Sequence, residues 1–452
     1  MATGLVPALA QPGIFGGVTG PPPALGGGGD TGFGIRPFLG LNGTFVSNRT
    51  DLSAYDPNSN RFLNSDTFGG SILGGVTGVK QFRRTSLGVM YRGLGRYTGS
   101  SHSFSSSHFL GLSLVHQATE RLSFSLSQTA GTAEGGIGFG AMFGGLGAYT
   151  GFGSFSLVPG AAGFNPYLPS LGNPGSNNLV DDEALDTRTY FASSSGDATY
   201  RLTERSWVSA GASGFFVRRK EQQFGLNGFS IRGSNGYILS SRANVAIHYS
   251  FSRFDYVRAY NNTQVQTLGG SFNYDLTSRT TFSVSGGAVR WHSDFIGVVP
   301  LDPILADLLG QTTGLAIQKL NRYSYYVAGD LNRVMQHGTL GLSYRRGAVP
   351  GNGILLGAER QIASASYGFN NLDRWTFGVE GGYATARGVV QRSYTTQSFV
   401  FRGNAGYRFY RGLSARLGAG YRIFQLPNRP HVNQILVYVG LSWSPGEIPV
   451  TF

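Results

Sequence analysis

The chain has no cysteine in 452 residues, which excludes disulfide scaffolds, thiolate metal sites and thiol nucleophiles. Charge is scarce as well: 13% of residues are Asp, Glu, Lys or Arg, where a soluble globular domain carries about 25%. No stretch approaches the roughly 18 consecutive apolar residues of a membrane-spanning helix. Met1-Ala2-Thr3-Gly4 lacks a basic n-region, and no continuous apolar core follows it, so no signal peptide is read and the chain is taken as a mature form with an added or retained Met. The seven histidines, at 102, 108, 116, 248, 292, 337 and 431, form no HExxH and no helical i, i+4 pair. No metal or other cofactor is expected. Basic runs are missing too. The net charge of +13 is almost all arginine, and the densest cluster is Arg218-Arg219-Lys220, which argues against a nucleic-acid partner.

What is present is glycine, 70 residues, and aromatics, 13% of the chain. The glycines follow no G-X-Y period, so collagen is excluded, and the aromatic content fits disorder badly. Residues 1–33 are Gly, Pro and Ala rich, as in Gly20-Pro21-Pro22-Pro23 and Gly26 to Gly29, and read as an extended segment outside the folded unit. From residue 34 to Trp443 the text becomes a series of roughly ten-residue stretches in which apolar or aromatic residues alternate with Gly, Ser, Thr, Asn or Arg. Ile435, Val437, Val439, Leu441 and Trp443 share one face, against Leu436, Tyr438, Gly440 and Ser442. Leu413, Ala415, Leu417, Ala419, Tyr421 and Ile423 oppose Ser414, Arg416, Gly418, Gly420 and Arg422. Period two means strand.

The connections alternate between two kinds. Short polar turns are read at Phe82-Arg83-Arg84, Thr119-Glu120-Arg121, Thr203-Glu204-Arg205, Ser250 to Arg253, Thr277-Ser278-Arg279, Gln336-His337-Gly338, Asn371 to Arg374 and Tyr410-Arg411-Gly412. Longer ones fall at 47–65, 133–186, 219–235, 293–319, 388–396 and 425–432, with short members near 98–102, 261–263 and 349–355. Together they imply eighteen antiparallel strands with both ends of the sheet on the short-turn side. A sheet of that width must close to remove its edges. Eighteen strands also enclose too wide a space for side chains to fill, so the polar face looks inward to water and the apolar face outward to lipid.

The predicted fold class is therefore all-β: a closed antiparallel transmembrane up-and-down barrel of about 18 strands. It occupies residues 34–443, after a 1–33 extension and before a 444–452 tail. In this pattern the chain resembles the Gram-negative outer-membrane porins. That resemblance implies an outer-membrane location, short periplasmic turns, long extracellular loops, and lipid and lipopolysaccharide as surroundings. It also implies contact with the barrel assembly machinery and a homo-oligomer. The ending Gly440-Leu441-Ser442-Trp443 looks like the aromatic-terminated assembly signal of last strands. The nine-residue tail departs from that pattern, with Pro445 and Pro449 arguing against a further strand.

On the predicted inner face lie Arg92, Arg242, Arg322, Arg345, Arg360, Arg402, Arg408, Arg416 and Arg422, against Asp197, Asp275, Asp330 and Glu380. Fixed positive charge along a wet path favours anions; pairing with carboxylates would leave the lumen unselective. The connection 133–186 begins with an apolar run containing Phe139, Phe143, Tyr149, Phe152 and Phe155. It is expected to constrict or cap the barrel. Leu301 to Leu309 reads as a short helix with Asp302 at the N-cap and Pro303 at N1. Ser283, Ser285, His292 and Asp294 lie close enough in sequence to suggest a hydrolase constellation, but serine is abundant and no enzyme is expected. The reading is a passive channel for small hydrophilic solutes with a mild anion preference. Two others stay open: a transporter of hydrophobic molecules plugged by the N-terminal segment, and a closed structural or surface-interaction barrel.

Overall fold

The computed structural model describes residues 33–50, 55–56, 61–62, 65–99, 103–134, 188–219, 225–349, 357–369, 374–390, 395–410, 412–425, 431–445 and 448–450. Eighteen long strands make the wall. They are β1 (Phe33–Thr50), β2 (Ser65–Gln81), β3 (Thr85–Thr98), β4 (Ser103–Gln117), β5 (Leu122–Glu134), β6 (Arg188–Arg201), β7 (Ser206–Arg219), β8 (Gly225–Ser240) and β9 (Ala243–Val257). The series continues through β10 (Asn261–Thr277), β11 (Thr280–Pro300), β12 (Thr313–Met335), β13 (Gly338–Val349), β14 (Ala358–Phe369), β15 (Trp375–Gly388), β16 (Thr395–Tyr410), β17 (Leu413–Gln425) and β18 (Val432–Trp443). A two-residue hairpin, Tyr55–Asp56 with Arg61–Phe62, decorates the β1–β2 connection.

Every neighbouring pair is antiparallel, and the ring closes through β1. One edge of β1 pairs with β2 from Gly34↔Val79 to Asn48↔Ser65. Its other edge pairs with β18 from Leu39↔Trp443 to Thr50↔Val432. Closure leaves no edge strand, so most of the wall's backbone finds its hydrogen bonds within the wall; the exception is the β13-facing side of β12 from Thr313 to Tyr326, which the β12–β13 ladder does not reach.

The facing follows the period-two text. Val439, Leu417, Phe401 and Leu441 are each about half exposed on the outer surface, and Ile435, Val437 and Phe377 join them. Their sequence neighbours point inward, where cross-strand hydroxyl pairs stitch the wall: Thr129 with Ser193 at 2.7 Å, Ser209 with Ser234 at 2.6 Å, Ser343 with Ser364 at 2.7 Å and Ser414 with Ser442 at 2.7 Å. A hydroxyl both donates and accepts, so facing pairs satisfy each other without needing a charge.

Four expectations need correction. Ser250 to Arg253 is the middle of β9, and the short turn of that hairpin is Ser241-Arg242, where the Ser240 hydroxyl accepts from the Arg242 backbone N–H at 3.2 Å. The connection read at 219–235 shrinks because Gly225–Ser240 is strand: Phe229 and Ile231 face out while Ser230 faces in. The connection read at 293–319 shrinks to 301–312, because β11 and β12 pair from Thr280↔Arg333 all the way to Pro300↔Thr313. The helix inside it is as expected: α1 (Pro303–Leu309) starts on Asp302, whose carboxylate accepts from the Ile304 N–H at 3.0 Å, and stops at Gly310 in the left-handed region. The tail holds a short strand after all. β19 (Ile448–Val450) pairs with Phe33–Ile35, the part of β1 that β18 does not reach. Pro449 is tolerated there because a three-residue strand has little ladder to lose. Ser444 anchors the tail by donating its N–H to the Gly412 carbonyl at 2.7 Å and its hydroxyl to the Pro37 carbonyl at 3.1 Å. The segment 1–32 and the connection 135–187 lie outside the described residues.

This facing has a direct energetic test. Leu417→Arg should destabilise the refolded barrel in bilayers by about 2–4 kcal/mol, whereas Asn404→Arg, on the inner face of the neighbouring strand, should cost much less. Denaturant titration of the two variants checks it, and equal costs would mean that the outer face does not contact lipid.

Candidate functional site

The inner wall has two unlike sides. One carries arginine. Arg408, Arg416, Arg402 and Arg422 stand at successive levels of β16 and β17: Arg408 opposes Ser414, Arg416 opposes Gly406, Arg402 opposes Gly420 and Arg422 opposes Val400. From Arg408 to the Val400 level is eight residues, or about 26 Å of strand. Glycines make room for the long side chains, Gly406 and Gly440 flanking Arg416 and Gly420 lying beside Arg402. The four share the inner face by register, with Arg422 buried and Arg408 exposed at the short-turn rim.

Carboxylates answer part of this charge. Arg402 Nη1 donates to Glu380 at 3.1 Å and Arg345 Nη2 to Asp330 at 3.2 Å. Arg322 Nη2 lies 3.5 Å from Glu359. Asp197 also faces in, and its partner is Arg232, whose Nε donates to it at 2.8 Å across Gly211 of the intervening strand. A Cβ at Gly211 would collide with both side chains. The 219–235 connection read from the sequence hides Arg232; the alternation of Phe229 and Ile231 with Ser230 and Arg232 is the signal that marks it as strand.

The remaining candidates divide. Arg92 faces in from β3, with its guanidinium 5.6 Å from the Phe109 ring centroid, a cation–π distance. Arg360 is buried on β14. Arg242 does not line the lumen: it is exposed in the β8–β9 turn. Asp275 sits exposed at the same rim beside a register shift in β10. Leu441 and Trp443 face outward on β18 opposite Leu41 and Leu39. Gly440 points inward, where a Cβ would strike the Asn42 side chain; packing alone accounts for that glycine. Phe139, Phe143, Tyr149, Phe152 and Phe155 lie outside the described residues. The hydrolase constellation is not assembled. Ser283 and Ser285 share the inner face with Trp291, whereas His292 and Asp294 are on the outer one, His292 bonding the Asn321 amide oxygen at 2.8 Å.

The other side of the wall is not the uniformly wet surface expected. Towards the long-loop end of β7 to β12, inward positions are Phe215, Val217, Leu226, Phe254, Tyr256, Val265, Val289, Trp291 and Tyr326, all buried. In these strands both faces are apolar, as Phe215-Phe216-Val217 shows, so the clean two-face pattern of the last strands does not extend to them. Tyr326 lies flat along the wall. Its hydroxyl hydrogen-bonds to His248, three strands away, and it passes over Gly287 and Gly269 on the way. At Gly269 a Cβ would overlap the phenol oxygen.

A closed antiparallel barrel of eighteen strands, apolar outside and carrying charge inside, is a transmembrane β-barrel, the architecture of the bacterial outer-membrane porins. No protein-family model matches the sequence, and no curated protein matches it. Among solved structures, OccK2 (OpdF) of Pseudomonas aeruginosa is 10% identical, with 91% of this chain and 100% of that one covered and a TM-score of 0.42. The outer membrane protein OpdK of the same species gives 9% identity, 91% and 98% coverage and a TM-score of 0.40. OccAB1 of Acinetobacter baumannii gives 11%, 91%, 96% and 0.40. Superpositions this loose carry no argument; the class rests on strand number, closure and facing.

The glycine path under Tyr326 is testable. Gly269→Val should displace the ring from His248 and cost about 1–3 kcal/mol by overpacking, while Gly270→Val, one residue along and facing lipid, should be near neutral. Urea unfolding of the refolded protein checks the pair.

Proposed function

We propose that this chain is an outer-membrane channel through which small hydrophilic solutes diffuse passively, with a mild preference for anions. The observation that carries the reading is the column Arg408, Arg416, Arg402, Arg422 on the inner face of two neighbouring strands. Arginine does not lose its charge at any working pH, so an inward column over about 26 Å of strand, or about 20 Å of height at a tilt of about 40°, is a permanent field along much of the hydrocarbon core. Such a column lowers the entry barrier for anions and raises it for cations. Pairing dilutes the field without removing it, because inward arginines outnumber inward carboxylates among the described residues. The outer-membrane location is supported by the same architecture: antiparallel barrels with apolar outer faces are the strand-built solution to crossing a bilayer. Lipopolysaccharide contact, recognition by the assembly machinery and a homo-oligomer belong to this proposal.

One observation favours a second reading, a transporter of hydrophobic molecules. The inward cluster around Phe254, Val265 and Trp291 gives an apolar solute a surface that a purely aqueous pore would not need. Bilayer recordings separate the two. The channel reading expects stepwise ohmic currents from the purified protein, and the transporter expects silence.

Under a salt gradient the reversal potential should have the anion-selective sign. Replacing Arg402, Arg408, Arg416 and Arg422 by Gln should move it towards zero. The difference should shrink in 1 M salt, where the Debye length is about 3 Å. A cation-selective wild type would show that the arginines are spent in internal pairs.

A further inference from the structure

The seam between β12 and β13 is laddered at one end only. Its backbone ladder stops at Val327↔Arg346, although β12 continues to Thr313 and β13 to Val349. Beyond that level side chains take over. The Glu359 carboxylate of β14 accepts from the Ser324 hydroxyl and lies 3.5 Å from Arg322 and 3.7 Å from Arg346. Arg346 in turn sits 4.1 Å from the Tyr325 ring centroid and donates to its hydroxyl.

The facing of these groups locates the end of β13 and β14. Ser324 and Arg322 are on the inner face of β12, in step with buried Tyr326, Ala328 and inward Asp330. Glu359 is on the outer face of β14, in step with Ala363 and Ala365, which oppose lipid-facing Tyr344 and Leu342. An outward carboxylate meets an inward hydroxyl only if β14 passes inside β12. Gly357 confirms the displacement independently. A Cβ built there would lie 3.4 Å from the Trp291 ring of β11, and 3.7 Å from both the Thr263 hydroxyl of β10 and the Tyr256 hydroxyl of β9. Four strand spacings separate β14 from β10 around the wall, about 19 Å, so a contact with Thr263 crosses the interior. Val389, at the end of β15, follows by donating its N–H to the Gly357 carbonyl at 2.9 Å, and is buried there.

We propose that Glu359 is the positioning residue of an internal constriction: it holds the inturned ends of β13 and β14 across the lumen, where they narrow the path. This rests on the channel reading and adds to it the place where solute size is limited. The physical case is that a seam with backbone hydrogen bonds cannot open without breaking several at once, whereas this one is fastened by side chains: the Arg346–Tyr325 contact and the Glu359 carboxylate, which alone reaches the inner face of β12 with three partners. Removing that carboxylate leaves Arg322 and Arg346 near each other with no counter-charge, and their repulsion pushes the two layers apart.

The chain has no cysteine of its own to interfere, and because Gly357 lies at φ 73, where a side chain is strained, the pair Gly357→Cys, Thr263→Cys is first recorded with Glu359 intact and should conduct as wild type does. In bilayer recordings Glu359→Ala should raise the unitary conductance about twofold or more, because the constriction widens. Glu359→Asp should stay near wild type. In the triple variant Glu359→Ala, Gly357→Cys, Thr263→Cys, oxidation should pin the inturned end to β10 and restore the wild-type conductance, with reduction releasing it again. Gel mobility with and without heating confirms that each variant is a folded barrel before it is recorded. If Glu359→Ala conducts as wild type does, or the triple variant conducts equally when oxidised and reduced, the constriction is not there, and a conducting wild type leaves the channel reading standing. Silence of wild type and all variants overturns both. Silence of the wild type with current through Glu359→Ala overturns the passive-channel reading and leaves Glu359 holding a full closure of the lumen.

Discussion

A backbone that crosses lipid must satisfy its own hydrogen bonds, because each group left open in hydrocarbon costs several kcal/mol. The structure depends on that constraint. It is met by closure: β1 is shared between β2 and β18, and β19 covers the stretch of β1 that β18 leaves bare. Once the ring is closed, the period-two alternation has only two environments to serve. Low charge and abundant Gly, Ser and Tyr follow, since half of each strand meets lipid and half meets the interior.

The interior is where the chain departs from the simplest tube. Glycines are placed where a neighbour's side chain lies flat on the wall: Gly269 and Gly287 beneath Tyr326, Gly211 beneath the Asp197–Arg232 pair, Gly440 beside Asn42. Each spares the Cβ that would lift the side chain into the lumen. The apolar side of the lumen and the arginine side then give a passing solute two unlike walls, one offering contact area and the other a fixed field. A closed structural barrel would need neither the arginine column nor the seam at Val327↔Arg346.

Much of the fold was legible in the sequence because lipid enforces a strict pattern on the outer face. Leu413 to Ile423 and Ile435 to Trp443 announce strands by alternation alone, and the strand number followed from counting turns. Reading failed where the pattern is locally two-sided or polar on both sides. The first part of Gly225–Ser240 carries Asn227, Ser230, Arg232, Ser234 and Asn235 and reads as the end of the 219–235 connection, which hides Arg232. Ser250 to Arg253 imitates a turn in composition, although Phe251 and Phe254 mark it as strand. The helix at Pro303–Leu309 was legible because capping chemistry is local. The inturned end of β14 was not, since nothing in the text near Glu359 says that its carboxylate faces a hydroxyl 35 residues earlier in the chain.

The central claim is that residues alternate between lipid and the barrel interior along each strand. The most direct test is a nitroxide scan of single cysteines from Phe399 to Gly406 in the refolded, bilayer-embedded protein, against oxygen and a water-soluble nickel chelate as relaxing agents. The account predicts a period of two, with oxygen reaching positions 399, 401, 403 and 405 and the chelate reaching 400, 402, 404 and 406. Chelate access at all eight positions, or oxygen access in the opposite phase, would contradict it.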